Sequence, residues 1–374
     1  AQIYALPHAD TLRANAFGIA VAIDGDQALV GASGENTCGP NGGAAYVFER
    51  DLTTDTWYQT ARLTPSECQE DAFFGQDIDL SGDRAIVSAS RDFFAEHASN
   101  AAFIFERTRE GDWEEVARLT ADRGFQEGSF AADVALDGDR ALVTTSGSSE
   151  GAYGGAAYVF EYDRATGRWQ ETARVTAEDG VEHGVLGGAC ALDGDRFVVA
   201  ASTYSIREPG AAYVFERDST GTWHQAARIE DIDDYFISVD LHGDRVLVGE
   251  ARARGDHSGE VVVYRRTAAG DWEHEATLRP ATPYAHGSFG SLVSLYDDRA
   301  LITGYDEQLG QDFNIDRVVY VFERRPGTTT WFQRQIIDIG QVDFGAAVDH
   351  EAAFALISSV PDNENGTVYV VRLF

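Results

Sequence analysis

The chain has 374 residues, 62 of them acidic and 29 basic, and its formal net charge is −33. A surface this acidic repels nucleic-acid phosphates and anionic membranes, so neither is an expected partner. The sequence has no apolar run of membrane-spanning length, so membrane insertion is not expected. Every basic residue is an arginine. A high-salt habitat and GC-rich coding account for this composition as well as a cationic ligand does.

The chain begins Ala-Gln-Ile and contains no methionine. A mature product has such a start once its signal peptide is removed, although a recombinant start looks the same. We therefore expect an exported protein, located outside the cell or on its surface.

A four-part unit then recurs along the chain. Its clearest copy spans residues 130–176, where four runs rich in β-branched and aromatic residues are separated by Asp-Gly-Asp, a Gly/Ser loop and Arg-Ala-Thr-Gly. Runs bounded in this way predict an antiparallel four-stranded meander. Seven copies begin at similar spacing, near Phe17, Phe74, Phe130, Leu186, Tyr235, Phe289 and Phe344.

Two further signals mark the copies. The third run changes little, as in AAYVFER (44–50) and AAFIFER (101–107). A tryptophan opens the fourth run of six copies: Trp57, Trp113, Trp169, Trp223, Trp272 and Trp331. One copy cannot bury its faces alone, so we predict an all-β fold, a seven-bladed β-propeller of four-stranded antiparallel blades that forms a single domain over residues 1–374.

The two ends of the chain complement each other. The last copy stops after its third run, at residues 367–373, while residues 2–6 align with the fourth run of other copies. Residues 2–6 should therefore supply the outer strand of the last blade. This pairing of the chain ends closes the ring and removes an exposed sheet edge.

The repeat pattern FGxxVxLDGDRALVGA…GAAYVFER resembles the FG-GAP repeat of secreted and cell-surface bacterial proteins. The same class of propeller forms the head of integrin α subunits. The resemblance covers essentially the whole chain and implies the seven-bladed fold. Because such propellers serve adhesion, carbohydrate binding and some catalysis, the resemblance does not select a function.

The calcium sites of that family are not carried over. Calcium-binding blades have an Asp-x-Asp/Asn-x-Asp-Gly-x-x-Asp loop, whose alternate oxygens surround one cation. The Asp-Gly-Asp turns at 24–26 and 137–139 offer too few oxygens, and Gln27 or Arg140 follows at once. These turns are predicted to be tight hairpins.

Two cysteines lie in loops that meet on one rim of a propeller. Cys38 follows the second strand of the first blade, and Cys68 lies in the loop that enters the second blade. A disulfide Cys38–Cys68 is therefore predicted and would suit an exported protein. Two unrelated surface thiols are the alternative.

The loops of that rim differ most among the copies, and divergent loops on a repeated scaffold commonly carry binding. Their aromatic, histidine and arginine side chains are the candidates for ligand binding: Tyr204, Arg207, Arg252, Arg254, His257 and Tyr305. A cup of such side chains suits a sugar or another polar small molecule. Solvated loops without a single ligand are the alternative.

The first strands place acidic residues along the propeller axis. Asp77 and Asp133 stand at one level, and Asp79, Asp240 and Asp349 stand two residues further on, so they share one face direction. If they point inward, they form an acidic lining suited to Ca²⁺. Hydration, or hydrogen bonds from neighbouring backbone amides, is the alternative. No other cofactor is indicated.

The leading hypothesis is an exported, non-catalytic propeller that binds a glycan or protein through its loop rim, as in adhesion. The alternative is a lyase- or cyclase-like enzyme in the rim cup. Its general base would be His183 or His286, its acid Tyr284, and Arg252 would stabilise negative charge. Clustering of these side chains favours the enzyme, and scattering favours the binder. The sequence leaves the oligomeric state open.

Overall fold

The computed structural model describes residues 2–7, 16–90, 100–121, 129–146, 154–178, 184–203, 210–232, 237–251, 258–283, 287–305, 317–341, 343–360 and 366–373. These ranges contain 28 strands in seven sheets of four strands each. The fold is the predicted seven-bladed β-propeller of antiparallel blades. Within these ranges no helix has the length and apolar character needed to cross a membrane.

In the first three blades, four consecutive strands lie side by side in chain order. The chain begins with strand β1 (Gln2–Ala5), and blade 1 follows it with β2 (Phe17–Asp24), β3 (Gln27–Ala32), β4 (Ala44–Asp51) and β5 (Thr56–Leu63). Blade 2 consists of β6 (Phe74–Ser81), β7 (Arg84–Ala89), β8 (Ala101–Arg107) and β9 (Trp113–Leu119). Blade 3 consists of β10 (Ser129–Asp137), β11 (Arg140–Ser146), β12 (Ala156–Asp163) and β13 (Arg168–Val175).

The next three blades repeat this order. Blade 4 consists of β14 (Gly184–Asp193), β15 (Arg196–Thr203), β16 (Gly210–Arg217) and β17 (Trp223–Ile232). Blade 5 consists of β18 (Ile237–His242), β19 (Arg245–Glu250), β20 (Glu260–Arg266) and β21 (Trp272–Leu278). Blade 6 consists of β22 (Val293–Tyr296), β23 (Arg299–Tyr305), β24 (Arg317–Arg324) and β25 (Trp331–Ile337).

Blade 7 joins the two ends of the chain. It consists of β26 (Phe344–Glu351), β27 (Phe354–Ser359), β28 (Thr367–Arg372) and β1 (Gln2–Ala5). β1 pairs antiparallel with β28, with Gln2 opposite Arg372, and the Leu6 amide donates to the Val368 carbonyl at 2.7 Å. The predicted closure is therefore present, and the edge of β28 is covered.

Burial depends on the position of a strand in its blade. In β4 every residue from Ala44 to Phe48 is buried, because both faces of the sheet are covered. The outer strand β5 alternates: Trp57 and Leu63 are buried, while Tyr58 is exposed. The Asp-Gly-Asp hairpins form as predicted, with φ of 58° at Gly25.

The Phe-Gly signature has a local physical cause. In blade 2 the Gln76 amide donates to the Phe73 carbonyl at 3.1 Å, which closes a turn around Phe-Gly. Gly75 is the third residue of that turn and has a φ of 88°, as type II turns require. A Cβ on Gly31 of blade 1 would stand 2.2 Å from the Gly75 carbonyl oxygen. The two glycines therefore let the neighbouring blades approach closely.

The hydrophobic core lies between blades. One cluster joins Phe17 of blade 1 to Leu356 of blade 7, and others join blades 1 and 2, 4 and 5, and 5 and 6. Trp57 completes the first cluster, with its ring edge-on to Phe354 at 6.1 Å between centroids. The fourth-run tryptophan of blade 1 therefore packs between blades 1 and 7.

Three blades begin at the predicted residue, and three are shifted. β2, β6 and β26 begin at Phe17, Phe74 and Phe344, whereas β10 begins at Ser129 and β14 at Gly184. In blade 6 the inner strand begins only at Val293, because the segment around Phe289 forms a turn and a parallel bridge to Gly259 instead. Tyr235 lies outside the described residues.

The chain divides into two compact units. The first comprises Ala1–Val143, Val159–Thr172 and Ala346–Phe374, and holds blades 1, 2 and 7 with part of blade 3. The second comprises Thr144–Tyr158 and Ala173–Gly345, and holds the rest of blade 3 with blades 4 to 6. The single-domain organisation over residues 1–374 stays a prediction.

Candidate functional site

Most of the rim side chains chosen from the sequence lie outside the described residues. They are His183, Tyr204, Arg207, Arg252, Arg254, His257, Tyr284 and His286. The structure neither gathers nor separates them, so the catalytic cluster of the enzyme hypothesis and most of the binding cup stay predictions. Of the ligand-binding candidates, Tyr305 is described.

Tyr305 ends β23 at the loop rim and is half-buried. Arg317, the first residue of β24, donates from Nε to Tyr305 Oη at 3.0 Å, and its guanidinium carbon lies 5.5 Å from the centre of the tyrosine ring. The Tyr305 amide donates to the Gly287 carbonyl at 2.6 Å. Tyr305 is therefore held at the rim through both its backbone and its hydroxyl.

The acidic residues of the inner strands connect neighbouring blades. In each case a carboxylate oxygen accepts a hydrogen bond from an amide of the next inner strand: Asp77 from Val134 (2.7 Å), Asp79 from Leu136 (2.6 Å), Asp240 from Leu295 (2.6 Å) and Asp349 from Ile23 (2.9 Å). Of the two roles predicted for these aspartates, the structure shows the second: they accept hydrogen bonds from neighbouring backbone amides. Among the described residues, no three His, Cys, Asp or Glu side chains are placed to hold a metal ion. Calcium binding by the axial aspartates stays a prediction.

Two of these carboxyl groups have strongly raised pKa values. Burial raises the pKa of Asp77 well above its ordinary value, and the negative charge of Asp133 and a hydrogen bond with it raise the pKa further. Burial also raises the pKa of Asp79, with a smaller contribution from the charge of Asp349. A protonated carboxyl donates as well as accepts, so Asp77 and Asp133 form a hydrogen-bonded pair between blades 2 and 3.

A disulfide joins two neighbouring loops of the rim. Cys38, between β3 and β4, is bonded to Cys68, between β5 and β6, as the sequence predicts. The bond connects residues 33–43 to residues 64–73, which we call the tied loops. The structure describes both loops completely.

Hydrogen bonds add to the link between the tied loops. Asn41 Nδ2 donates to Asp71 Oδ1 at 3.0 Å. The Asp71 amide donates to the Pro40 carbonyl at 2.7 Å, and the Phe73 amide donates to the Asn41 carbonyl at 2.9 Å. Asn41 and Asp71 both have positive φ, 50° and 53°, which these residue types tolerate. The tied loops therefore form one connected platform.

The second tied loop forms one wall of a pocket of about 300 Å³ in blade 2. The loop contributes Pro65, Ser66, Glu67 and Gln69, and the strands β7, β8 and β9 contribute Ala89, Phe103, Glu115 and Arg118. The pocket thus combines an aromatic ring and small apolar side chains with carboxylates, an amide and a guanidinium group.

Glu115 fastens the loop to the blade. The Ser66 amide donates to Glu115 Oε2 at 2.7 Å, and the Ser66 hydroxyl donates to Oε1 at 3.1 Å. Equivalent contacts occur in two other blades, again with the acceptor two residues after the tryptophan: Glu178 N to Gln225 Oε1 (3.1 Å) and Ala281 N to Gln333 Oε1 (2.8 Å). The sequence reasoning missed this Trp-x-Gln/Glu signal, although the repeats show it.

Blade 2 departs from a repeated contact at this pocket. In blades 3 and 4 an outer-strand arginine donates to a third-strand tyrosine: Arg174 Nε to Tyr158 Oη (3.0 Å) and Arg228 Nε to Tyr213 Oη (3.3 Å). The residues of blade 2 at these positions are Arg118 and Phe103, which lie opposite each other on β9 and β8. Phe103 has no hydroxyl, and both residues line the pocket.

Seven four-stranded blades closed by the two chain ends define a β-propeller of the integrin-α type. The family model of the FG-GAP repeat matches residues 4–48, 57–105, 113–160 and 169–215, just over half of the chain. The chain therefore belongs to the FG-GAP repeat family, whose repeats are typical of extracellular and cell-surface proteins. No curated protein is significantly similar to it.

Proposed function

We propose that this chain is an exported binding propeller that recognises a glycan or protein ligand through its loop rim. The observation that carries the proposal is the pocket of blade 2. Ligand sites are concave and mainly apolar, with a few placed polar groups. The pocket of about 300 Å³ is concave and combines the apolar side chains of Pro65, Ala89 and Phe103 with the polar groups of Glu115 and Arg118.

The tied loops support the same function. The pocket wall at residues 65–69 is held by the disulfide at Cys68 and by the hydrogen bonds from Ser66 to Glu115. A wall that is already ordered loses less conformational freedom when a ligand binds. A disulfide also persists best in an oxidising compartment, which supports export.

The charge of the chain narrows the ligand class. A net charge of −33 repels polyanions at long range, so neutral glycans and basic or neutral protein surfaces suit the rim better than anionic polysaccharides. The enzyme alternative depends on His183, Arg252, Tyr284 and His286, which lie outside the described residues. The pocket therefore gives that alternative no support.

The proposal is tested with the purified full chain on a glycan array and in pull-down from cell-surface and secreted protein fractions. We expect selective binding in at least one assay. The double substitution Cys38→Ser/Cys68→Ser should weaken it, because the pocket wall loses its covalent link. Blank results in both assays, together with turnover of a saccharide by the chain, would replace the binding function with an enzymatic one.

A further inference from the structure

We propose that His242 and Asp297 form a pH-dependent link between blades 5 and 6, which is strongest when the imidazole of His242 is protonated. His242 is the last residue of β18, and Asp297 lies in the turn between β22 and β23. The distance from His242 Nε2 to Asp297 Oδ1 is 3.3 Å. Three observations carry the inference: the difference from the contact that other blades make here, the packing of the imidazole, and the charges around it.

Other neighbouring blades make this contact through a backbone amide. In each blade a hairpin turn joins the first strand to the second, and we call it the inner turn. The amide of the inner-turn glycine donates to the side chain that precedes the turn glycine of the blade before it. Four junctions show this bond: Gly25 to Glu351, Gly82 to Asp24, Gly138 to Ser81, and Gly243 to Asp193. A backbone amide does not titrate near neutral pH, so the donor in these junctions is always present.

Blades 5 and 6 differ from this pattern at both positions. His242 occupies the position of Asp193, and Asp297 occupies the position of Gly243. Asp297 has a φ of 52°, a conformation that aspartate adopts more readily than most residues with a Cβ, so it can replace the turn glycine. The junction therefore joins an imidazole to a carboxylate, and the strength of that contact depends on the charge of the imidazole.

The strand and a neighbouring ring hold His242 in position. Asp240, two residues earlier on β18, accepts a hydrogen bond from the Leu295 amide of blade 6. Side chains two residues apart on a strand share a face, so His242 is directed at blade 6 as well. Its ring centroid lies 4.7 Å from that of Tyr296, with 43° between the ring planes. A ring that is already packed loses less freedom when it pairs, and that loss is one of the costs of an ion pair at a surface.

The other charged groups around His242 have partners of their own. Asp193 and Arg196 of blade 4 bond to the backbone amide and carbonyl of Gly243. Asp244 pairs with Arg245 at 2.7 Å in the inner turn of blade 5. The charged side chains on β18 and on the inner turns of blades 4, 5 and 6, other than the proposed pair, are Asp193, Asp195, Arg196, Asp240, Asp244, Arg245 and Asp298. Asp298 pairs with Arg324, and the carboxylate in contact with the imidazole is that of Asp297.

The effect of pH follows from the chemistry of the pair. An imidazole gains its positive charge between about pH 8 and about pH 5. The protonated ring of His242 donates a charge-assisted hydrogen bond to the Asp297 carboxylate, and such a bond is about twice as strong as one from a neutral donor. Blades 5 and 6 are therefore held together more tightly in mild acid than at slightly alkaline pH. The link lies at the inner turns, so it is separate from the proposed binding site at the loop rim.

The test is a double-mutant cycle of His242→Gln and Asp297→Asn in the full chain, at about pH 5.5 and about pH 8.5. The measured quantity is the hydrogen-exchange protection of the backbone amides in the inner turns of blades 5 and 6. The cycle cancels the pH dependence of other groups, including Asp77 and Asp79, because all four proteins contain them. The matched control is His274→Gln, which removes a histidine of the same blade whose Nε2 contacts the uncharged Thr277 hydroxyl at 3.0 Å.

At the acid pH each single substitution should reduce the protection about threefold, and the double variant should lose little more, because both substitutions remove the same contact. At the alkaline pH this coupling should largely disappear, and His274→Gln should exchange as the wild type does at both pH values. Absence of coupling at the acid pH, or coupling of equal size at both, would overturn the inference. Should Asp297→Asn fail to fold, Asp297→Gly, which restores the turn residue of the other blades, completes the same cycle.

Discussion

Asp349 and Ile23 join the last blade to the first: the Ile23 amide donates to Asp349 Oδ2 at 2.9 Å. Asp349 belongs to β26, the inner strand of the sheet that β1 completes. Asp79 and Asp240 make the same bond from their own inner strands. The aligned position is alanine in other blades, as at Ala22 and Ala135, so a carboxylate there is a local reinforcement of the ring.

Asp349→Ala should therefore destabilise the protein. It leaves the amide of Ile23, a residue only 7% exposed, without its acceptor, at a cost of about 1–3 kcal/mol. Urea unfolding should show a lower midpoint with an unchanged slope. Asp349→Asn keeps an acceptor oxygen and should lose less. Identical midpoints for the wild type and Asp349→Ala would show that the bond does not stabilise the ring.

The stability of the protein should increase as the pH falls from neutral to mildly acidic values. The folded pKa values of Asp77 and Asp79 lie above their unfolded values, mainly because of burial. Between these two pKa values the native state binds more protons than the unfolded state does. Above the folded pKa the buried charges therefore lower the free energy of unfolding. This loss of stability disappears as the pH falls towards the unfolded pKa, near 4.

Asp139 acts in the opposite direction in a lower pH window. Burial favours its neutral form, but hydrogen bonds from Arg84 and Arg164 lower its pKa overall. Its contribution is present above the unfolded pKa and is lost as the pH falls through the folded value. Maximum stability should therefore lie on the acid side of neutrality. A melting temperature that falls steadily from neutral pH downwards would contradict this.

Asp77→Asn should flatten this pH dependence. An amide mimics the protonated carboxyl, since its oxygen accepts from Val134 and its NH₂ group donates to Asp133. At neutral pH the variant should melt at or above the temperature of the wild type, and the difference should shrink towards pH 4. Calorimetry at several pH values checks this. A variant that is less stable than the wild type at neutral pH would show that the charged form is favoured.

Removal of the disulfide should lower stability substantially. Cys38 and Cys68 are 30 residues apart, and a cross-link over that separation restricts the unfolded chain by about 3–4 kcal/mol. The double variant Cys38→Ser/Cys68→Ser should melt at a lower temperature. Reductant should lower the melting temperature of the wild type and leave that of the double variant unchanged. Equal melting temperatures without reductant would mean that the bond contributes no stability.

Deletion of residues 1–7 should expose the edge of β28. That edge pairs with β1 from Gln2 to Ala5, and unpaired edges recruit other chains. We expect a lower melting temperature and concentration-dependent association in gel filtration. A peptide of residues 1–7 added in trans should restore the elution volume of the intact chain, whereas a scrambled peptide should not. A truncated chain that elutes and melts as the intact chain does would show that β1 is dispensable.

The sequence predicted the fold because every blade repeats the same physical solution. Hairpin turns such as Asp-Gly-Asp, the Phe-Gly turn at Gly75 and the tryptophan of six outer strands recur, so the weak signals of seven copies reinforce one another. The closure and the disulfide followed from the positions of residues 2–6, Cys38 and Cys68 in that scheme. Both predictions depended on the order of the strands in the blades and not on the conformation of a loop.

The pocket could not be predicted in the same way. It depends on one departure from the repeat, Phe103 in place of tyrosine, and on the path of the loop that carries Ser66 and Gln69. Neither feature indicates a pocket until the position of the loop against blade 2 is known. The raised pKa of Asp77 likewise requires its burial beside Asp133, which alignment placed at one level without showing that the two groups meet.

The most direct test of the proposed rim-binding function is a crystal structure of the chain grown with the glycan or protein fragment that binds it best in the array or the pull-down. The proposed function predicts density for that ligand against residues 65–69, the wall of the rim pocket. A ligand bound at the hairpin turns of the opposite face, such as the turn at Gly138, with the pocket empty, would contradict it.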